Sequence, residues 1–176
     1  MLGEKTKKNL EEAFAGESMA RNKYDYFASV ARKAGYVQIA NIFTETALNE
    51  KEHAKLWAKE LELINDDTAK NLLEAVKGEV YEHSEMYQRM ANEAEEENNP
   101  VLANTFRQVA KAEKAHSDRY QKLLDNMNQG EVFKKKEVKR WKCNNCGYIH
   151  EGEGAPDECP ACKHPQAHFE VFVETY

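Results

Sequence analysis

Apolar residues in the first 130 positions recur at intervals of three and four, the spacing that gathers them on one side of an α-helix. Four such runs are present. The first carries Leu10, Ala13, Phe14, Glu17, Ala20, Tyr24, Phe27 and Ala31 and ends near Gly35. The second carries Ile39, Ile42, Phe43, Thr46, Glu50, His53, Trp57 and Leu61. The third follows Asn65-Asp66-Asp67-Thr68, whose side chains suit an N-cap, and carries Leu72, Val76, Glu79, Glu82, Met86 and Met90. The fourth opens on Asn99-Pro100, a capping residue and a first-turn proline, and carries Leu102, Phe106, Val109, Glu113, His116, Tyr120, Leu123 and Met127. The pattern predicts a mainly α fold, a bundle of four helices over residues 1–133, with these stripes as its buried faces.

Glutamates interrupt every stripe where Leu or Ile would be expected. Two Glu-x-x-His tetrads, Glu50-Lys-Glu-His53 and Glu113-Lys-Ala-His116, stand 63 residues apart. A carboxylate and an imidazole three residues apart project from one helix face, a turn above each other. Core packing has no use for such a pair, whereas a metal does. A loose repeat strengthens the point: Gly16-Glu17 recurs as Gly78-Glu79, and Ala40-Asn41-Ile42-Phe43 as Ala103-Asn104-Thr105-Phe106. The first two helices therefore read as a duplicate of the last two, related by a pseudo-twofold axis. Glu17, Glu50, His53, Glu79, Glu82, Glu113 and His116 are the candidate ligands. Five carboxylates converging in an apolar interior would each cost on the order of several kcal/mol without compensation, and two divalent cations remove most of that cost. Oxygen donors mixed with imidazole suit iron or manganese. Tyr24 and Tyr87 follow Glu17 and Glu79 by seven and eight residues. Each either completes the core or acts at the ligands as a hydrogen-bond partner or proton donor. His83 points off the stripe and is not expected to ligate.

From about Phe133 the texture changes. Lys134-Lys135-Lys136-Glu137-Val138-Lys139-Arg140 reads as a basic linker, a solvated spacer or a steering element for an acidic partner. Beyond it come Cys143-Asn-Asn-Cys146 and Cys159-Pro-Ala-Cys162 among glycines and prolines. Residues 134–176 are thus expected to form a small loop-rich module held by one tetrahedral thiolate site. Spacing alone suits iron or zinc equally.

The 176 residues suit one domain with a small appendage, and 41% hydrophobic against 32% charged residues allows a packed core under a highly charged surface. A formal charge of -6 disfavours a nucleic-acid binder. The lysines near the N-terminus have no apolar segment behind them, and no run is long enough to span a bilayer, so a cytoplasmic location without membrane attachment is expected. All four cysteines are used in the thiolate motif.

Taken together, these residues resemble rubrerythrin. The segments Ala15-Gly16-Glu17-Ser18-Met19-Ala20-Arg21-Asn22-Lys23-Tyr24, Asn49-Glu50-Lys51-Glu52-His53, Gly78-Glu79-Val80-Tyr81-Glu82-His83 and Glu113-Lys114-Ala115-His116 are similar to its di-iron motifs. Cys146-Gly147-Tyr148-Ile149 and Cys159-Pro160-Ala161-Cys162 are similar to its rubredoxin-like domain. The resemblance covers essentially the whole chain. It implies a ferritin-like bundle with two non-haem irons, and one iron at the four cysteines, where zinc can substitute. The implied activity is reduction of hydrogen peroxide to water as a defence against oxidative stress. Electrons would come ultimately from NAD(P)H through a reductase and often a rubredoxin. It also implies that Glu50 and Glu113 bridge the irons, that Glu17 and Glu82 serve one and Glu79 and His116 the other, and that His53 replaces Glu82 on reduction. A homodimer with exchanged helices is a further implication. A ferritin-like ferroxidase would share the carboxylates but has no need of an attached relay, and a zinc-ribbon interaction protein would need no carboxylate cluster.

Overall fold

The computed structural model describes residues 2–175. The chain divides into two compact units, residues 1–66 and 67–176. In the first, α1 (Glu4–Lys33) and α2 (Val37–Glu60) form an antiparallel hairpin. In the second, α3 (Thr68–Tyr81), a π-helical turn (Glu82–Met86) and α4 (Tyr87–Glu96) make one interrupted rod, which packs against α5 (Pro100–Asn128). Three strands follow: β1 (Lys134–Cys143), β2 (Ile149–Gly154) and, after a 3-10 turn at Gln166–His168, β3 (Phe169–Val171).

The helix ends are fixed by local chemistry. Asp67 caps α3, its Oδ1 accepting from the N–H of Ala69 at 2.8 Å. Asn99 caps α5 through the N–H of Leu102, with Pro100 in the first turn, where the missing N–H costs nothing. At the other ends, α1, α2, α4 and α5 each close with a residue of positive φ: Gly35, Glu62, Asn98 and Gly130. At α2 the N–H of Leu63 reaches the carbonyl of Ala58 at 2.9 Å and that of Glu62 reaches Lys59 at 3.0 Å, the paired bonds of a Schellman motif. Gly35 and Gly130 take this conformation freely, whereas Glu62 does so against a steric cost.

The buried seam of each hairpin is made of methyl groups. The buried residues are Ala28 and Ala31 on α1 and Ala40, Ala47, Ala54 and Ala58 on α2. On α5 the buried positions are Ala103, Ala110, Ser117 and Leu124, and Ala91 and Ala94 are their counterparts on α4. Positions 40, 47 and 54 and positions 103, 110, 117 and 124 repeat every seventh residue, as in a coiled-coil seam. The large apolar stripe is partly covered within one chain: Phe14, Tyr24, Phe43, Trp57, Val76 and Phe106 are half-buried. Phe27, Ile39, Ile42, Leu102 and Leu123 are all more than 40% exposed. Small residues allow the helices to pack closely, and the larger side chains flank that contact.

Two expectations are revised. The third helix is not continuous, because the π-helical turn interrupts it. Residues 134–140 are not a linker but most of β1, the middle strand of a sheet in the order β2-β1-β3, antiparallel on both sides. The strand was hidden in the sequence because charges fill both of its faces. Those charges are matched across the sheet: Lys142 lies opposite Glu170 with an N–O distance of 3.2 Å, and Arg140 lies opposite Glu151 at 4.0 Å. The module's core is Trp141, Cys143, Ala155, Cys159 and Phe169, with the Trp141 indole donating to the carbonyl of Gly152. So few apolar groups make a marginal core, and a metal at the cysteines adds the missing stability. Among the described residues no helix is long and apolar enough to cross a membrane.

Candidate metal centres

Each helical unit presents one trio of donors. In the first, Glu17 of α1 meets Glu50 and His53 of α2, with donor atoms all within 4.8 Å of one another. In the second, Glu79 of α3 meets Glu113 and His116 of α5 in the same way. The two are near copies. His53 Nδ1 lies 2.7 Å from Glu50 Oε2 and 3.8 Å from Glu17 Oε1. His116 Nδ1 lies 2.7 Å from Glu113 Oε2 and 3.6 Å from Glu79 Oε2. In each tetrad, the i, i+3 spacing places the imidazole against its own helix's carboxylate, and the packed neighbour supplies the third donor. Glu50 and Glu113 are the least exposed side chains of the trios, at 16% each, while His53 and His116 are about half exposed.

The electrostatics fit a missing cation. Burial, followed by the bond to and charge of Glu50, raises the pKa of Glu17 above its ordinary value, and His53 offsets only part of this. Burial raises Glu79 likewise, with Glu113 and Glu82 adding repulsion. Glu79 Oε2 is buried with no hydrogen-bond partner. An orphaned carboxylate oxygen facing a second carboxylate and an imidazole is costly alone and well suited as a metal ligand.

Glu82 falls outside the second trio but remains near enough to raise the pKa of both Glu79 and Tyr87. It is the first residue of the π-helical turn, and such turns are frequent at functional sites. Tyr87 is pushed up first by burial and then by Glu82, Glu113 and Glu79, so its phenol holds its proton tightly. Its ring lies 6.0 Å from Phe106, and that of Tyr24 lies 6.1 Å from Phe43 and 6.2 Å from Phe27. Both tyrosines thus accompany the trios, packed on phenylalanines. His83 acts on Asp118, lowering its pKa behind the larger effect of Lys114.

The four cysteines converge. Cys143 and Cys162 sulfurs are 3.7 Å apart, as are those of Cys146 and Cys159. A tetrahedron with metal–sulfur bonds of about 2.3 Å has edges of about 3.8 Å, so the cage already has the required size. Its two knuckles are built alike. Gly147 and Lys163, each following a second cysteine, have positive φ and donate to the carbonyls of Cys143 and Cys159. The N–H of the next residue, Tyr148 or His164, then serves the sulfur of Cys146 or Cys162. With His164 as the main cause, Cys162 is lowered to about 6. At Cys146 the Tyr148 N–H acts in the same direction, but the neighbouring thiols outweigh it and push the group to about 12. Four crowded sulfurs cannot all shed protons without a cation among them. The role of these two N–H groups escaped the sequence reading, although their matched position two residues after each knuckle was the available signal. Cys146 is exposed, whereas Cys143 and Cys159 are buried.

Paired carboxylate–imidazole trios on helices, beside a four-sulfur cage on a small sheet, define a non-haem iron protein of the di-iron-carboxylate class with a rubredoxin-like module. The comparisons with known proteins agree. A profile described as rubrerythrin matches residues 8–124, and one for the rubredoxin-like domain of rubrerythrin matches residues 141–170. Rubrerythrin from Clostridium perfringens is 52% identical, with 100% of this chain and 98% of the relative covered. Rubrerythrin from Nitratidesulfovibrio vulgaris is 45% identical over 98% of this chain and 96% of its own length. A solved structure of nigerythrin in a mixed-valence state is 33% identical over 98% of this chain and 88% of its own, with a TM-score of 0.36. The chain belongs to the rubrerythrin family.

Proposed function

We propose that the protein is a peroxidase that reduces hydrogen peroxide to water. Residues 1–133 would form the di-iron body and residues 134–176 the electron relay. The observation that carries this reading is the presence, in one chain, of two matched Glu/Glu-x-x-His trios and a four-sulfur cage of metal-binding size. Bound ferrous ions in the bundle would supply the two electrons needed to cleave an O–O bond, and an iron held by Cys143, Cys146, Cys159 and Cys162 would supply one-electron transfer.

The remaining work falls to the chain's own residues. Glu50 and Glu113, the least exposed donors, are suited to bridge the ions. Glu17 and Glu82 would serve one ion and Glu79 and His116 the other, with His53 the alternative to Glu82 in the reduced state. A proton for the departing oxygens would come from a carboxyl or a tyrosine at the site, Tyr24 or Tyr87. Each helical unit brings three donors together. The assembly we propose is a homodimer, with or without exchanged helices. Electrons would arrive from an NAD(P)H-dependent reductase or a rubredoxin, and the exposed Cys146 offers the shortest route into the cage.

The test is anaerobic turnover of hydrogen peroxide by protein of known iron content, with a reductase as donor. Peroxide consumption should track bundle iron. The Cys143→Ser/Cys146→Ser variant should stop turnover while peroxide still oxidises a chemically reduced bundle. Faster consumption of oxygen than of peroxide would replace the peroxidase reading with a ferroxidase one.

A further inference from the structure

Between α1 and α2, away from the trio, runs a groove of about 410 Å³ that belongs wholly to the first unit. Its floor is Phe14, Ala54 and Ala58, and its far wall is Leu63 and Ile64, both about half exposed. Arg21 and Lys51 also line it, and neither makes an ion pair or hydrogen bond among the described residues. Lys55, the third cation here, is held by Glu52 at 3.3 Å.

The groove has a direction. The helices are antiparallel, with Glu17 opposite His53, so rising numbers on α1 face falling numbers on α2. Arg21 is therefore level with the Lys51 end, and Phe14 with the Ala58 end. One end is cationic and the other apolar. The apolar end is bordered by Leu63 and Ile64, which follow the Schellman bond from the Leu63 N–H to Ala58. From Lys51 to Ala58 the helix rises about 10 Å, close to the length of an extended chain of eight to ten carbons. The volume falls within the range of small-molecule sites.

We propose that this groove binds one monomeric medium-chain fatty acid, its carboxylate between Arg21 and Lys51 and its tail against Phe14, Ala58 and Leu63. Charge complementarity selects the head group, and the length of apolar surface beyond it matches the tail. The site does not depend on the peroxidase reading, because none of these side chains belongs to the metal trios.

The experiment is calorimetric titration of the iron-loaded full chain with sodium hexanoate, octanoate and decanoate. Decyltrimethylammonium, 1-decanol and anionic phosphatidylglycerol vesicles serve as comparison probes. One saturable site per chain is expected, tightening about three- to fourfold per added methylene up to decanoate. The alcohol and the cationic amphiphile should bind at least tenfold more weakly. Arg21→Glu/Lys51→Glu should lose at least tenfold in decanoate affinity with helicity and iron content unchanged. Leu63→Asp, at an exposed position, should do the same while leaving hexanoate binding nearly intact. The proposal is overturned by any of four results: no saturable decanoate binding, equal binding of the cationic amphiphile, either variant binding decanoate as wild type does, or binding to vesicles alone.

Discussion

The ring of Tyr87 lies against that of Phe106 as the ring of Tyr24 lies against Phe43, at 6.0 and 6.1 Å, although Tyr87 is one residue further from its glutamate. Phe43 and Phe106 occupy equivalent places in the internal repeat, 63 residues apart. The extra residue before Tyr87 is absorbed by the π-helical turn at Glu82–Met86, which restores the tyrosine to its place. The same turn carries Glu82, which has no counterpart in α1, where Ala20 stands three residues after Glu17.

Removing the extra residue should therefore separate helix formation from metal binding. Deletion of Ser84 should convert the turn to regular α-helix with little loss of helical circular dichroism. Glu79 and Tyr87 should then keep the seven-residue relation of Glu17 and Tyr24, whereas Glu82 loses the widened turn that presents it. Iron in the bundle should fall below one ion per chain by metal analysis, while the cage keeps its iron. Full bundle occupancy in the deletion variant would show that the turn is not needed to place the ligands.

Glu113→Ala should prevent assembly of the ion pair, because a bridging carboxylate serves both metals. The expected result is loss of both bundle irons with the ferric-thiolate absorption of the cage retained. Retention of two bundle irons contradicts the bridging role.

In the metal-free protein, pH should act on stability through Glu79 and Glu17. Burial and neighbouring carboxylates raise both above the ordinary 4.5 in the folded state. The folded chain then binds more protons than the unfolded one between those values, so stability falls as pH rises through that window. Thermal melting of the apoprotein should show a higher midpoint at the acid end of the window than at neutral pH, and Glu79→Gln should flatten the dependence. A midpoint that rises with pH across the same range is the opposite sign and refutes the assignment.

Glu62 closes α2 with φ 58°, a conformation glycine adopts without penalty. Glu62→Gly should stabilise the protein by about 0.5–1 kcal/mol, read as a rise of a few degrees in melting temperature. No rise would mean that the glutamate side chain contributes as much as its backbone costs.

The donors were legible in the sequence because chemistry forced polar groups into a helical period where nothing else explains them. Glu17, Glu50, His53, Glu79, Glu113 and His116 met in trios as the spacing and the repeat predicted, and the caps Asp67 and Asn99 fell where their side chains indicated. The buried seam was less visible. Alanine is a strong helix former that carries almost no hydrophobic signal, so Ala47 and Ala110 were passed over in favour of Ile42 and Phe106. β1 was missed for the opposite reason: every residue from Lys134 to Arg140 except Val138 is charged, so no apolar alternation marks a strand. The π-helical turn left one trace, the seven-against-eight spacing before the two tyrosines, whose cause a one-dimensional pattern cannot show.

A seam of alanines acts as a gauge. Glu17 rides on one helix and Glu50 on the other, so the gap across which they can share a charge is set by the thickness of the methyls between their backbones. A bulkier residue at Ala47 or Ala54, however well it packed, would move one carboxylate outward and change which ion the pocket admits. The tolerance of this chemistry to substitution is thus decided among residues that carry no chemistry of their own.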